Sequence, residues 1–154
     1  MVARKIDAYC LDYSPVPIFH FTLTPRGDAL ETMKEDYTPE GWHTLTPRIV
    51  VRDCRQFVEF LKQVFAGEGD YVEERPSVIK IGDSRVMISE AGVRQPTTAF
   101  LYVYVADTDA THQRAVDAGA HSLEQPLDTP YGDRRCMVED RWGNIWQVAT
   151  YRSN

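Results

Sequence analysis

The stretch Thr129–Tyr151, TPYGDRRCMVEDRWGNIWQVATY, reads as two apolar-alternating strands joined by a tight turn at Asp140-Arg141-Trp142-Gly143. Gly132-Asp133 opens the first strand, and aromatic and β-branched residues fill the second. An earlier segment, Arg75–Glu90 (RPSVIKIGDSRVMISE), has the same plan, with its strands joined around Gly82-Asp83-Ser84. Two hairpins of one design imply a duplicated module.

Working outward, each hairpin is preceded by a strand and a helix. Leu45–Arg52 is a β-branched run ending at Asp53, and Asp53 with Gln56 makes a capping-box-like helix start. Phe57, Phe60, Leu61, Val64 and Phe65 then share one helix face until Gly67 stops it. Tyr71–Glu73, Val78–Ile81 and Arg85–Ser89 follow as three strands. The pattern restarts with a strand over Phe100–Ala106, a helix from an Asp107 cap to Ala118 with Gly119 as terminator, and strands at Ser122–Gln125, Arg134–Glu139 and Ile145–Thr150. The expected fold is therefore α+β: tandem βαβββ modules at about 44–90 and 98–151, within a domain spanning 43–154. Residues 1–42 read as an N-terminal extension packed on that domain, with a strand at Ile18–Leu23, a helix over Gly27–Tyr37, and prolines breaking it into short pieces. The pentapeptide TLTPR, at Thr22–Arg26 and again at Thr44–Arg48, is too short to count as a repeat.

In each module a helix covers one sheet face and leaves the other to line a cavity or meet a partner. Along Phe100–Val105 one face carries Leu101, Val103 and Val105, and the other carries Phe100, Tyr102 and Tyr104. The aliphatic face suits a helix. The aromatic face suits a pocket for a flat or amphipathic ligand, with a filled aromatic core or a dimer contact as the alternative.

The totals set the boundaries. With 154 residues the chain is one domain's worth, and 17 Lys and Arg against 23 Asp and Glu give a net charge of −6, which argues against a nucleic acid partner. Three cysteines, Cys10, Cys54 and Cys136, show neither paired spacing nor CxxC, so no disulfide framework or thiolate zinc site is indicated and a cytoplasmic setting is expected. No apolar run is long enough for a membrane span, and the N-terminus lacks the apolar core of a signal peptide, so no membrane partner is expected. No GxSxG, P-loop, dinucleotide fingerprint or HExxH occurs.

In order, Pro39-Glu40-Gly41-Trp42-His43-Thr44-Leu45-Thr46-Pro47, Val50-Val51-Arg52-Asp53, Ile81-Gly82-Asp83-Ser84, Tyr131-Gly132-Asp133-Arg134, and Val138-Glu139-Asp140 through Gly143-Asn144-Ile145-Trp146 to Ala149-Thr150 form a set. On these residues the sequence resembles the vicinal-oxygen-chelate superfamily (glyoxalase I, extradiol dioxygenases, bleomycin-resistance proteins), most closely its PhnB-like branch. The resemblance covers about Pro39–Arg152. It implies paired βαβββ modules whose mixed sheet curls into a cup, commonly completed in a homodimer. It also implies a divalent metal held by four side chains in the superfamily's enzymes. Those positions fall at Thr46, Ile88, Phe100 and Gln147, and of these only Gln147 is an ordinary donor, with a weak hydroxyl at Thr46. A register slip of two residues would bring in Glu90. The expectation is no metal and no cofactor.

Among other candidates, Arg48 shares strand parity with Thr46 and is expected to point into the cup, where it clamps a carboxylate or phosphate or else pairs with Glu90. His20, His43, His112 and His121 miss the ligand positions and read as surface or structural residues. Trp146 has core parity, Asp133 is expected to bind backbone or Arg134, Cys136 reads as an inert buried thiol, and Glu139-Asp140 as a solvated turn. The functional expectation is a metal-independent protein, of the bleomycin-resistance type, that binds or sequesters an aromatic or anionic natural product or drug as in antibiotic resistance. Its ligand-binding residues would be Arg48, Ile88, Glu90, Phe100, Tyr102, Tyr104 and Gln147. The alternative is an enzyme of the same superfamily: a lyase, isomerase or cyclase with Arg48 and Glu90 as catalytic candidates, or, less favoured, a metal-dependent glyoxalase or dioxygenase.

Overall fold

The chain alternates strand, helix and hairpin because its apolar period switches from two to 3.6 and back. The computed structural model describes residues 37–152. The strand and helix expected before Tyr37, with His20 and Cys10, lie outside the described residues. The first half contains β1 (Arg48–Val51), α1 (Cys54–Phe65), β2 (Ser77–Ile81) and β3 (Ser84–Glu90). The second contains β4 (Phe100–Tyr104), α2 (Thr108–Asp117), β5 (His121–Asp128), β6 (Asp133–Glu139) and β7 (Ile145–Tyr151). The fold is α+β, with a three-stranded sheet ordered β1-β3-β2 and a four-stranded sheet ordered β4-β7-β6-β5. In both, the opening strand runs parallel to the closing one and the rest of the sheet is antiparallel, so the halves share a three-strand arrangement to which the second adds β5. No helix among the described residues is long and apolar enough to cross a membrane.

The first half has one strand fewer than the sequence suggests. Tyr71–Glu73 forms no strand, and only an isolated bridge, Glu68 to Lys80, stands in that region. Two local features prevent pairing: the Val72 N–H donates to Ser77 Oγ at 2.9 Å, and Glu74 sits at φ 66°. A backbone donor spent on a side chain is lost to the ladder.

Helix α1 supplies the core. Phe57, Val58, Phe60, Leu61, Val64 and Phe65 are all buried and pack with Ile49, Val51, Ile79 and Ile88 of the first sheet. Asp53 caps it, at φ 63° and with its carboxylate accepting from the Gln56 N–H at 3.3 Å. The second half of a capping box comes from elsewhere: Glu90 accepts from the Asp53 and Cys54 N–H groups at 2.9 and 2.8 Å, while the Gln56 side chain accepts from Arg141. Helix α2 starts as expected at Asp107, which accepts from the Ala110 N–H at 3.0 Å.

The β6–β7 turn clamps the halves together. Trp142 lies edge-on to Phe57 and Phe60, with centroids 4.8 and 5.8 Å away, and its indole N–H reaches the Arg52 carbonyl at 2.7 Å. Asp140 is not a solvated turn residue as expected. It is 3% exposed and accepts from the Trp142 and Asn144 N–H groups, the Asn144 amide and the Trp146 indole. Four donors converging on one carboxylate are what make its burial tolerable. Trp146 is fully buried against Phe65, as its parity requires.

Candidate functional site

Register decides which side chains share a face, because cross-strand partners point the same way. On the second sheet Tyr102 pairs with Gln147, Gln147 with Met137, Ala149 with Arg135, and Tyr151 with Asp133. Phe100, Tyr102, Tyr104, Asp133, Arg135 and Gln147 therefore lie on one side, away from α2. Leu101, Val103 and Val105 pack against the core, as the alternation requires. The aromatic side stays open, with Phe100, Tyr102 and Tyr104 at 60, 41 and 62% exposure.

Two polar clusters are built on that open face. In one, the nearly buried Asp133 accepts from the Tyr102 hydroxyl at 2.7 Å and the Tyr104 hydroxyl at 3.3 Å, and the two rings stand 5.1 Å apart at 47°. Burial, followed by the Asp133 carboxylate, keeps the Tyr102 phenol protonated well above its ordinary range. The backbone of Asp133 is held by Thr129, which receives its N–H at 2.9 Å and donates its own hydroxyl to the Asp133 carbonyl at 2.9 Å. In the other cluster, Arg135 makes a bidentate bond to Glu124 at 3.0 and 2.8 Å and donates to the Tyr131 hydroxyl at 2.9 Å. Gln147, oriented with its amide oxygen toward the guanidinium, accepts from Arg135 at 2.9 Å.

A cavity of about 380 Å³ opens along the outer edge of β4. Leu45, Pro47, Ile81 and Val86 line it from the first half, and Leu101, Val103 and Trp146 from the second. Tyr102 and Tyr104 belong to the same lining, so cavity and aromatic face share two residues. Mostly apolar walls with a few convergent polar groups are the usual composition of a small-molecule pocket.

The first sheet revises three expectations. Its parallel register pairs Arg48 with Met87 and Val51 with Glu90. Ile88 and Glu90 consequently face α1 and not the cup: Ile88 is fully buried in the core, and Glu90 holds the helix start. Arg48 lies on the opposite face and donates to Ser89 at 2.9 Å, so the Arg48–Glu90 ion pair does not form. Arg48 shares that outer face with Lys80 and Arg85, since Val78 pairs with Met87 and Lys80 with Arg85. The Arg85 guanidinium lies over the Trp42 ring, 5.5 Å from its centroid.

The Asp133–Arg134 pairing is also absent. Neighbours in a strand point to opposite faces, and Arg134 turns to the helix side, where it binds Asp109 at 2.7 Å through two nitrogens and Asp128 at 3.3 Å. Burial lifts the Cys136 thiol to about 11, and burial together with Glu90 lifts that of Cys54 to about 12, so neither is a ready nucleophile. His112 is buried against the Ser122 hydroxyl at 2.8 Å, while His43 and His121 are exposed.

The four positions carried over for a metal do not fit one. Phe100 has no donor, Ile88 is core, Thr46 donates to the His43 carbonyl, and Gln147 is engaged by Arg135. Among the described residues no three His, Cys, Asp or Glu side chains stand together as metal ligands.

The comparisons with known proteins agree with this architecture. The family model described as "Glyoxalase/Bleomycin resistance protein/Dioxygenase superfamily" matches residues 24–148. No curated protein matches the sequence. Among solved structures, TioX from Micromonospora sp. ML1 has a TM-score of 0.60 at 22% identity, over 70% of this chain and 97% of that one. A glyoxalase/bleomycin resistance protein/dioxygenase family enzyme from Burkholderia phytofirmans PsJN gives 0.57 at 17%, over 69% and 96%. The fosfomycin resistance protein FosX from Mesorhizobium loti gives 0.55 at 19%, over 70% and 91%. At these identities the likeness is one of fold.

Proposed function

The chain belongs to the glyoxalase/bleomycin resistance protein/dioxygenase superfamily, and from that premise we propose that it binds a small aromatic molecule without a metal ion, holding it and releasing it unchanged. The observation that carries this reading is the pair Tyr102 and Tyr104, exposed on one sheet face, tied to a buried carboxylate, and continuous with the cavity along β4. The cavity volume of about 380 Å³ falls within the ordinary range for small-molecule sites, about 300–1,000 Å³. Ring stacking on Tyr102 and Tyr104 would supply most of the affinity.

The catalytic alternative built on Arg48 and Glu90 has less support. The two side chains lie on opposite faces of the first sheet, and the Glu90 oxygens already accept from two backbone N–H groups.

The test is a ligand screen on the full chain by thermal shift, followed by titration with and without chelator. The expected result is a saturable aromatic ligand, recovered unchanged, whose affinity chelator does not alter and Tyr102→Ala with Tyr104→Ala lowers about tenfold or more. Turnover of the ligand, or binding abolished by chelator, would overturn the proposal.

A further inference from the structure

Resting on that binding reading, we propose that the ligand group meeting Tyr102 and Tyr104 is a cation or a dense N–H donor, such as an amidine, an aryl ammonium or an aminated heterocycle, and not an anion. The direction of the hydrogen bonds carries this. A carboxylate only accepts, so both phenols donate their single proton to Asp133 Oδ2. What Tyr102 and Tyr104 turn toward an arriving molecule is therefore lone pairs and ring faces, and both attract positive charge.

The charges on the face point the same way. Among the described residues, Arg135 is the one Arg or Lys that the strands of this face direct outward, and Glu124 neutralises it through a bidentate bond. Its remaining contacts go to Tyr131 and Gln147. Among the described residues Asp133 has no cationic partner, and Glu139 adds a further carboxylate farther along β6, near His121 of β5. A carboxylate ligand here would meet acceptors and like charge. Burial and the adjacent carboxylate hold the Tyr102 proton in place, so the phenol does not ionise to change this pattern near neutrality.

Three near-isosteric probes test the inference on the full chain: benzamidinium, benzamide and benzoate, titrated by ligand-observed NMR at constant ionic strength. Benzamidinium is expected to bind about tenfold more tightly than benzoate, with benzamide between them. Asp133→Asn should remove most of that preference. Because the substitution could also disturb the turn, Tyr102→Phe with Tyr104→Phe serves as a second variant, which keeps the rings and deletes the acceptors. Benzoate binding as tightly as benzamidinium, in a manner that depends on Tyr102 and Tyr104, would overturn the ligand class and leave the binding reading intact. No saturable binding of any probe would overturn both.

Discussion

The two halves of this chain share a three-strand arrangement, extended by β5 in the second, and have two chemistries. In each, the opening strand pairs in parallel with the closing strand, a helix covers one face, and the closing strand reaches over to fasten the start of that helix. In the first half the fastener is Glu90, a carboxylate accepting two N–H groups. In the second it is Thr150, whose hydroxyl accepts the Thr108 N–H at 3.0 Å and meets the Thr108 hydroxyl at 2.9 Å. The helices differ as well. Helix α1 buries three phenylalanines, whereas the buried side chains of α2 are Thr108, Thr111, His112 and Ala115. One half is thus the hydrophobic anchor, and the other carries the open aromatic face. A shared topology fixes where a side chain points, and the residue at that position decides what it does there.

The sharpest way to break this asymmetry is to empty the anchor. Phe57→Ala should cost about 3–5 kcal/mol, because a fully buried ring touching Trp142 leaves a cavity under both halves. Thr111→Ala on α2 should cost about 1 kcal/mol, from its lost bond to the Asp107 carbonyl. Urea unfolding of the two variants checks the contrast, and equal losses would mean that the helices contribute alike.

The fasteners give a smaller difference. Glu90→Ala leaves two helix-start N–H groups without their charged acceptor and should cost about 2–3 kcal/mol, against about 1 kcal/mol for Thr150→Val. A double comparison of unfolding midpoints reads this directly.

The least effect at neutral pH comes from the buried thiols. Folding raises Cys54 from its ordinary 9.0 to about 12 and Cys136 to about 11, so the folded chain keeps protons that the unfolded chain gives up. Their stabilisation is complete below pH 9 and is lost as pH rises through the folded values. Cys54→Ala should flatten the loss of stability above pH 9 relative to its own value at pH 7. An unchanged alkaline slope would show that the thiol does not titrate in that window.

Much of the fold was legible because it rests on local rules. Asp53 and Asp107 are helix caps wherever the chain goes next, the Phe57–Phe65 spacing marks one apolar helix face, and the alternation along Phe100–Val105 separates aromatic from aliphatic. The strand expected at Tyr71–Glu73 had suitable residues but did not form, because its backbone was captured by Ser77. The candidate site was only partly legible. Phe100, Tyr102, Tyr104 and Gln147 do share a face, whereas Ile88 and Glu90 were assigned to the wrong side, since parity within β3 says nothing until its parallel register against β1 is known. Arg135 and Asp133 were within reach. The Asp140–Gly143 turn pairs Glu139 with Ile145, and counting back in twos from there puts both on the face of Gln147.

By itself, then, the sequence determined the periods, the caps and the turn, all of which are set by residues a few positions apart. Only the tertiary structure decided that Asp133 receives the protons of Tyr102 and Tyr104 and that Glu124 neutralises Arg135. Each of these partnerships joins groups brought together by folding, and a group's charge, hydrogen-bond direction and proton affinity belong to the neighbours it acquires there.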